Sequence, residues 1–422
     1  MKRILSLFIV SLFANYFYAQ DVTQSERNAL IDFYDNTNGN NWANKTNWKS
    51  SLPVKDWYGI TTSSELGIAG EEHVIDITLI QNGISGKLIS TIGNLTFLEG
   101  LNLSYNFISG SIPNEIGNLT NIKKINLSRN SQGSSNGFTG VIPTTIGNLI
   151  NLEELNLAFN SFTGGLPSEI TNLTKLITLD LFPNKKLGGQ IPAGIGNLTN
   201  LKNLNLSLCS LIGNIPSSFS NLQNLENVAI ASNSLSGNIK NFFSNSLNLQ
   251  KLDISSNYFS GDLDLRNNKK LINFTYSYYN TFNVILLDNT SNSILTTKGF
   301  GVPIKCMSVD NPTNAQNATS PYNNWTINWF NNTTNFQTDC SAYLTTAENK
   351  NYSIKVFPNP VQNILNIKTT DKIERGEVYT ISGQKIKNFN NKEINVSDLQ
   401  KGIYILQIVV GDKTITQKFI KE

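Results

Sequence analysis

The sequence predicts an α/β solenoid with a parallel β-sheet, closed at its N-terminal end by a helical cap and followed by a small β-sandwich. Three observations predict it. A frame of about 24 residues recurs from Val74 to Leu249. Before it, Ala29, Leu30, Phe33 and Tyr34 fall on one face at helical spacing. From about Tyr352 onward, short strand-like runs separated by turn signals replace the frame.

Composition narrows the function classes. Of 422 residues, 15% are charged and 39% hydrophobic. Asparagine fills the gap left by charge, at roughly 15% of the chain, far above ordinary usage. A net charge of +3 spread over this length gives no dense basic face, which argues against a nucleic-acid partner. One histidine and three cysteines argue against His-based catalysis and a Cys/His metal cluster, and no cofactor is called for.

The first residues read as an export leader. Lys2 and Arg3 precede the apolar run Ile4 to Phe13, which is too short to span a bilayer, and cleavage is expected near Ala19. No later run is long and apolar enough to span, so the mature chain is expected without a membrane segment. In the cap, Thr23 and Glu26 stand at capping-box spacing. Trp42, Trp48 and Trp57 then supply aromatic packing or, less simply, a ligand platform.

Repeat units begin at Val74, Leu98, Ile122, Leu152, Leu176, Leu201, Leu225 and Leu249, and the long third unit carries an insertion near Ser131–Asn136. A degenerate unit follows at Leu271. One unit buries too little apolar surface to offset the ordering of its own backbone, so the units must stack. Asn82, Asn106, Asn130, Asn160, Asn184, Asn233 and Asn257 form a column expected to turn inward and satisfy loop backbone, with Cys209 in the same column as a buried thiol. Ser/Thr-Gly and Ile-Pro pieces are expected to make the following bends. The frame LxxLxLxxNxLSGxIPxxIGNLxx resembles the leucine-rich repeat of the plant-type subclass. That resemblance implies a right-handed superhelix with a parallel concave sheet, serving recognition. Plant versions of the cap usually carry a cysteine pair that is missing here.

Export makes a disulfide between Cys306 and Cys340 plausible, leaving Cys209 as the one free thiol. The tail resembles the C-terminal sorting domain of the type IX secretion system of Bacteroidota. The resemblance rests on VFPNP with Pro358, Asn359 and Pro360, on ISGQ with Gly383, and on LQKGIYIL with Gly402 and Tyr404. It implies contact with the secretion machinery and release or attachment at the outer-membrane surface. The expected organisation is leader 1–20, cap 21–73, about eight repeats 74–270, degenerate repeat and C-terminal cap 271–345, linker 346–351 and sorting domain 352–422.

Function is expected on exposed columns. Glu99, Lys123, Glu153, Ile177, Lys202 and Glu226 alternate in charge and should neutralise one another. Asn102, Asn126, Asn156 and Asp180 belong to a polar row running from Thr78 to Asp253. Tyr105, Arg129, Phe159 and Phe182, with Leu208 and Tyr258, form a third strip just after the strands, in residue types enriched at binding hot spots. The leading reading is a monomeric, non-catalytic binder of a protein or polysaccharide. The alternatives are an inhibitor of polysaccharide-degrading enzymes, an ice-binding surface, and a secreted hydrolase using Glu154 and Asp180, which sit without an apolar pocket to perturb either. His73 is read as a rim residue.

Overall fold

The computed structural model describes residues 21–63, 72–130, 137–288, 296–300, 304–317, 319–323, 326–328, 335–344, 354–369, 372–380, 385–410 and 413–422. The expected leader, the Ser131–Asn136 insertion, the linker and Gly383 lie outside them. The chain divides into two compact units, 1–344 and 345–422.

The first unit opens on helix Gln24–Asn36, which starts where Thr23 and Glu26 close a reciprocal capping box. Its inner face buries Ala29, Leu30, Phe33 and Tyr34. Trp42 and Trp48 meet edge to face at 4.8 Å, and Trp48 and Trp57 pack at 5.2 Å. All three indoles are at most 7% exposed, so they are core and offer no ligand platform. Aromatic packing thus closes the cap without a cysteine pair. Strand Ile60–Thr62 pairs antiparallel with Val74–Thr78 and covers the sheet edge that an open stack would expose.

From Val74 each unit contributes one strand to a twelve-stranded sheet, parallel throughout after that first antiparallel pairing. Register is strict: Thr78, Asn102, Asn126, Asn156, Asp180, Asn205, Ala229 and Asp253 are successive ladder partners. The leucines flanking them point inward and are fully buried. Opposite, each Pro-x-x-Ile-Gly-Asn segment closes a 3₁₀ turn such as Asn114–Asn118 or Thr144–Asn148. Gly117 leaves no room for a side chain there, because a Cβ on it would lie 2.6 Å from the Thr145 carbonyl oxygen of the next unit.

One expectation is corrected. The Ser/Thr-Gly pieces are strands and not simple bends: Ser85–Lys87 pairs with Phe107–Ser109, Thr139–Val141 with Ser161–Thr163, and Ile212–Asn214 opens a six-stranded second sheet. The stretch read as a degenerate repeat and C-terminal cap holds several strands. Asn273–Thr275, Thr296–Phe300 and Thr326–Asn328 continue the long sheet, and the second sheet runs to Phe336–Gln337. Cys306, on a strand of that second sheet, is bonded to Cys340.

The second unit pairs a three-stranded sheet (Lys355–Phe357, Ile364–Lys368, Glu393–Asn395) with a four-stranded one (Lys385–Phe389, Arg375–Thr380, Gly402–Val410, Lys413–Lys421). Leu365, Val378, Leu406 and Phe419 fill their common core. Asn359, flanked by the exposed Pro358 and Pro360, donates through Nδ2 to the Lys418 carbonyl and accepts from the Ile420 N–H at 2.8 Å. Tyr404 donates its hydroxyl to the Gln400 carbonyl at 2.9 Å, and Gly402 begins the nine-residue strand.

Candidate functional site

Asparagine does three jobs in the solenoid, and only one of them leaves side chains available. The inward column is structural. Asn130 accepts from the Ile108 N–H at 3.1 Å and donates to the carbonyls of Leu127 at 2.9 Å and Leu103 at 3.2 Å. Asn280 extends the column by equivalent bonds to Phe259, Ile254 and Tyr276, a member the sequence reading missed because it stands one residue later in its unit than the others and Tyr279 holds the regular place. Cys209 imitates the amide with a weak S–H donor 3.4 Å from the Leu181 carbonyl, and burial pushes its thiol up to about 12. A second set, Asn121, Asn151, Asn200 and Asn224, ties each unit to the carbonyl of Thr96, Thr120, Thr174 or Thr199 in the unit before.

The third set is the polar row. At the end of each strand the side-chain Oδ1 accepts the N–H two residues on. Asn102 takes Ser104, Asn126 takes Ser128, Asn156 takes Ala158, Asp180 takes Phe182, Asn205 takes Ser207 and Asp253 takes Ser255, at 3.0–3.3 Å. These side chains are half-buried. Alongside runs the charged row, where Lys123 meets Glu99 at 2.8 Å and Lys202 meets Glu226 at 3.0 Å, the mutual neutralisation expected of it.

The aromatic strip is assembled differently from its reading in the sequence. Tyr105, Arg129, Phe159 and Leu208 share one column, in left-handed backbone with φ of 59°, 55°, 55° and 52°. Phe182 lies one place earlier because Pro183 occupies that column, and Tyr258 lies two places later, on the second sheet beside Tyr279. The expected quartet still meets. The Arg129 guanidinium stands 5.0 Å from the Tyr105 ring centre and 3.9 Å from that of Phe159, and Phe159 meets Phe182 edge to face at 5.4 Å. Tyr105 is 42% exposed; the other three are half-buried against one another, less open than expected.

Beyond Phe182, a hollow of about 440 Å³ opens over the strands from Thr178 to Thr275, where Ala229 is the one small residue of the row. Asp180 and Asp253 line it with Asn203, Asn227 and Lys251, three residues the sequence reading did not single out. The expectation that no carboxylate here is perturbed is overturned. Burial raises Asp180 above the ordinary carboxylate value, against the opposing pull of the Phe182 N–H and of Arg129. Glu154 pairs laterally with Thr178 and Asp180 with Asn156, so the two carboxylates stand diagonally on neighbouring strands. Among the described residues no group of three His, Cys, Asp or Glu could hold a metal. His73 stacks on Phe97 at 3.6 Å with Nδ1 3.2 Å from Glu26, at the cap end of the sheet.

Comparison with known proteins fits this geometry. Residues 134–285 match the family described as Leucine-rich repeat region, residues 97–119 the Leucine Rich Repeat, and residues 355–422 the Secretion system C-terminal sorting domain. The solved structure of PEPR1–AtPEP1 is similar with a TM-score of 0.60 and 26% identity, over 75% of this chain and 42% of that one. The plant peptide hormone receptor RGFR1 in complex with RGF2 is similar with a TM-score of 0.52 and 26% identity, over 67% and 49%. A plant ice-binding protein shares the fold with a TM-score of 0.55 and 23% identity, over 73% of this chain and 96% of that one. Beta-agarase D of Zobellia galactanivorans is 37% identical over 70 residues, 16% of this chain and 14% of the agarase. The chain thus spans less than half of the PEPR1–AtPEP1 and RGFR1 chains and a small part of the agarase.

The molecule is a leucine-rich repeat protein. It ends in a type IX secretion sorting domain, and the tail directs it to the cell surface or the medium. Among the described residues no helix is long and apolar enough to cross a membrane.

Proposed function

We propose that the solenoid is a monomeric, non-catalytic recognition module that binds a protein or polysaccharide on its concave and lateral face, the sorting tail serving only as an address. The observation that carries this reading is the Tyr105–Arg129–Phe159–Phe182 ribbon. A left-handed backbone position is filled most cheaply by Gly or Asn. The chain instead puts Tyr, Arg and Phe there, where none of them is needed to fill the core. Aromatic and arginine side chains held against one another lose little entropy when a ligand covers them. The similarity to PEPR1–AtPEP1 and to RGFR1 in complex with RGF2 supports the same reading. The polar row is broken by Asp180, Ala229 and Asp253, which disfavours a regular ice-matching array.

The test compares the full chain with the double variant Phe159→Ala/Phe182→Ala on a glycan array and in pull-downs. Binding should weaken at least about tenfold, with Tm within about 3 °C. Unchanged affinity removes the ribbon from the reading. Release of product from a captured polysaccharide, lost in Asp180→Asn, would restore the hydrolase.

A further inference from the structure

The polar row is interrupted by a small residue at Ala229, and carboxylates stand on both sides of the gap. Asp180, Asn205, Ala229 and Asp253 are successive ladder partners. Ala229 therefore lies one strand spacing, about 4.8 Å, from Asp253 and two from Asp180. The same unit continues with Ala231. A second hollow of about 350 Å³ shares Asn205, Ala229 and Asp253 with the first and reaches Ala231, Phe182 and Leu208. The two are one depression, leading from the aromatic ribbon over two alanines to the carboxylates. Asp180 and Asp253 each accept a turn N–H through Oδ1, at 3.0 and 3.1 Å. Among the described residues no hydrogen bond or ion pair reaches the other carboxylate oxygen of either. Lys251 is the one cation lining the hollow; it is exposed and makes no ion pair among the described residues.

Resting on the recognition reading above, we propose that this depression seats a lysine or arginine side chain of a protein ligand lying on the ribbon. The stem of that side chain covers Ala231 and Ala229, and its head lies between Asp253 and Asp180. A long basic side chain has this division, an apolar stem and a cationic end. Because Phe182 and Leu208 wall the entrance, the backbone that carries it stays on the face assigned to recognition. Charge decides the occupant. Covering the hollow strips water from two carboxylates, and a basic head returns opposite charge with charge-assisted hydrogen bonds. A neutral polysaccharide returns only dipoles, and an acidic one adds like charge. The amides of Asn203, Asn205 and Asn227 can donate to or accept from either ligand and do not discriminate. Burial already raises Asp180 above the ordinary carboxylate value, so its charge is poorly hydrated before a ligand arrives. At about 440 Å³ the larger hollow has the size of a pocket for a compact group and is too small for a folded surface.

The chain supplies its own controls. Asn102, Asn126 and Asn156 accept the same turn N–H as the two aspartates, so Asp→Asn in this row removes charge and keeps the turn. Ala229→Asn puts the row's commonest residue into the gap and fills it. Full-length protein, Asp180→Asn, Asp253→Asn and Ala229→Asn are compared on two arrays, with Tm recorded for each. One array carries extended peptides, every basic peptide paired with a copy in which lysine is acetylated and arginine replaced by citrulline. The other carries neutral, acidic and amino-sugar glycans. The wild type should capture basic peptides, and neutralising their side chains should weaken capture about tenfold or more. Each of the three variants should weaken it to a similar degree, with Tm within about 3 °C of the wild type. Capture that ignores the charge of the peptide, or that all three variants leave intact, overturns the seat. So does capture of glycans alone, or of nothing. If Phe159→Ala/Phe182→Ala abolishes binding while the three hollow variants retain it, the seat falls and the recognition reading stands.

Discussion

Asn126 and Asn130 lie four residues apart in one unit, and the same change, Asn→Asp, should have opposite consequences at the two. At Asn126 the bond that matters to the fold is accepted by Oδ1 from the Ser128 N–H at 3.1 Å, and a carboxylate accepts it equally well. The stability change should stay within about 0.5 kcal/mol. Asn130 is fully buried, and its Nδ2 hydrogens serve the carbonyls of Leu103, Leu127 and Ser128 at 2.9–3.3 Å. Asn130→Asp replaces that donor with an oxygen facing three oxygens. At least two buried carbonyls lose their partner, at about 1–3 kcal/mol each, and a carboxylate is left in the interior with no cation. Together these cost about 3–5 kcal/mol at neutral pH, or roughly 10 °C in Tm. The sign of the pH dependence follows from burial. The carboxyl introduced by Asn130→Asp is held protonated in the folded chain well above its unfolded value near about 3.9. Stability should therefore be best retained below that value and lost as pH rises through the folded one. Thermal and guanidinium denaturation followed by far-UV circular dichroism at several pH values measures both variants. Equal losses in the two, or a mild effect at Asn130 that does not grow with pH, would refute the division of the asparagines into an inward column and an outward row.

Two further outcomes concern the cysteines. The Cys306–Cys340 bond joins residues 34 apart, so Cys306→Ser/Cys340→Ser should destabilise the first unit by about 3–4 kcal/mol through chain entropy; a Tm unmoved by the double variant or by reductant contradicts this. Cys209, buried and with its thiol pushed up to about 12, should resist alkylation at pH 8 until the solenoid unfolds. Labelling of the native protein at the rate of the denatured chain would show that the column is open there.

The parts of the fold that periodicity controls were legible in the residues. The 24-residue frame placed the parallel strands of the long sheet from Val74–Thr78 to Asn273–Thr275, because one displaced leucine would put an apolar side chain in water, but not the cap strand Ile60–Thr62. The capping box and the helix face of the N-terminal cap were legible for the same reason. The second sheet was not, because Ser-Gly and Thr-Gly read as turn chemistry. Its strands hold glycine in left-handed backbone, as at Gly237 and Gly261, and gain their order from the neighbouring unit. Thr296–Phe300 and Thr326–Asn328 escaped because they continue the sheet without the leucine signature. In the tail, Lys385–Phe389 and Glu393–Asn395 are short and polar, with little alternation to mark them.

The candidate site was legible as a set of residue types and not as an arrangement. Phe182 was placed in the same column as Phe159, yet Pro183 holds that place, and the two rings meet only because the chain sets Phe182 back by one residue. More consequential is the asparagine excess. Composition counts Asn102, Asn121 and Asn130 alike. The fold gives the first an outward amide, spends the second on a neighbouring unit's carbonyl and locks the third in the interior. Which asparagine can meet a ligand is decided by where its oxygen is already bonded, a property of register between strands about 24 residues apart. A repeat scaffold can thus change its outward donor or acceptor pattern one unit at a time, by choosing Asn or Asp at a place where the turn accepts either. Asp180 and Asp253 are two such choices already made, and they bracket the hollow that opens at Ala229.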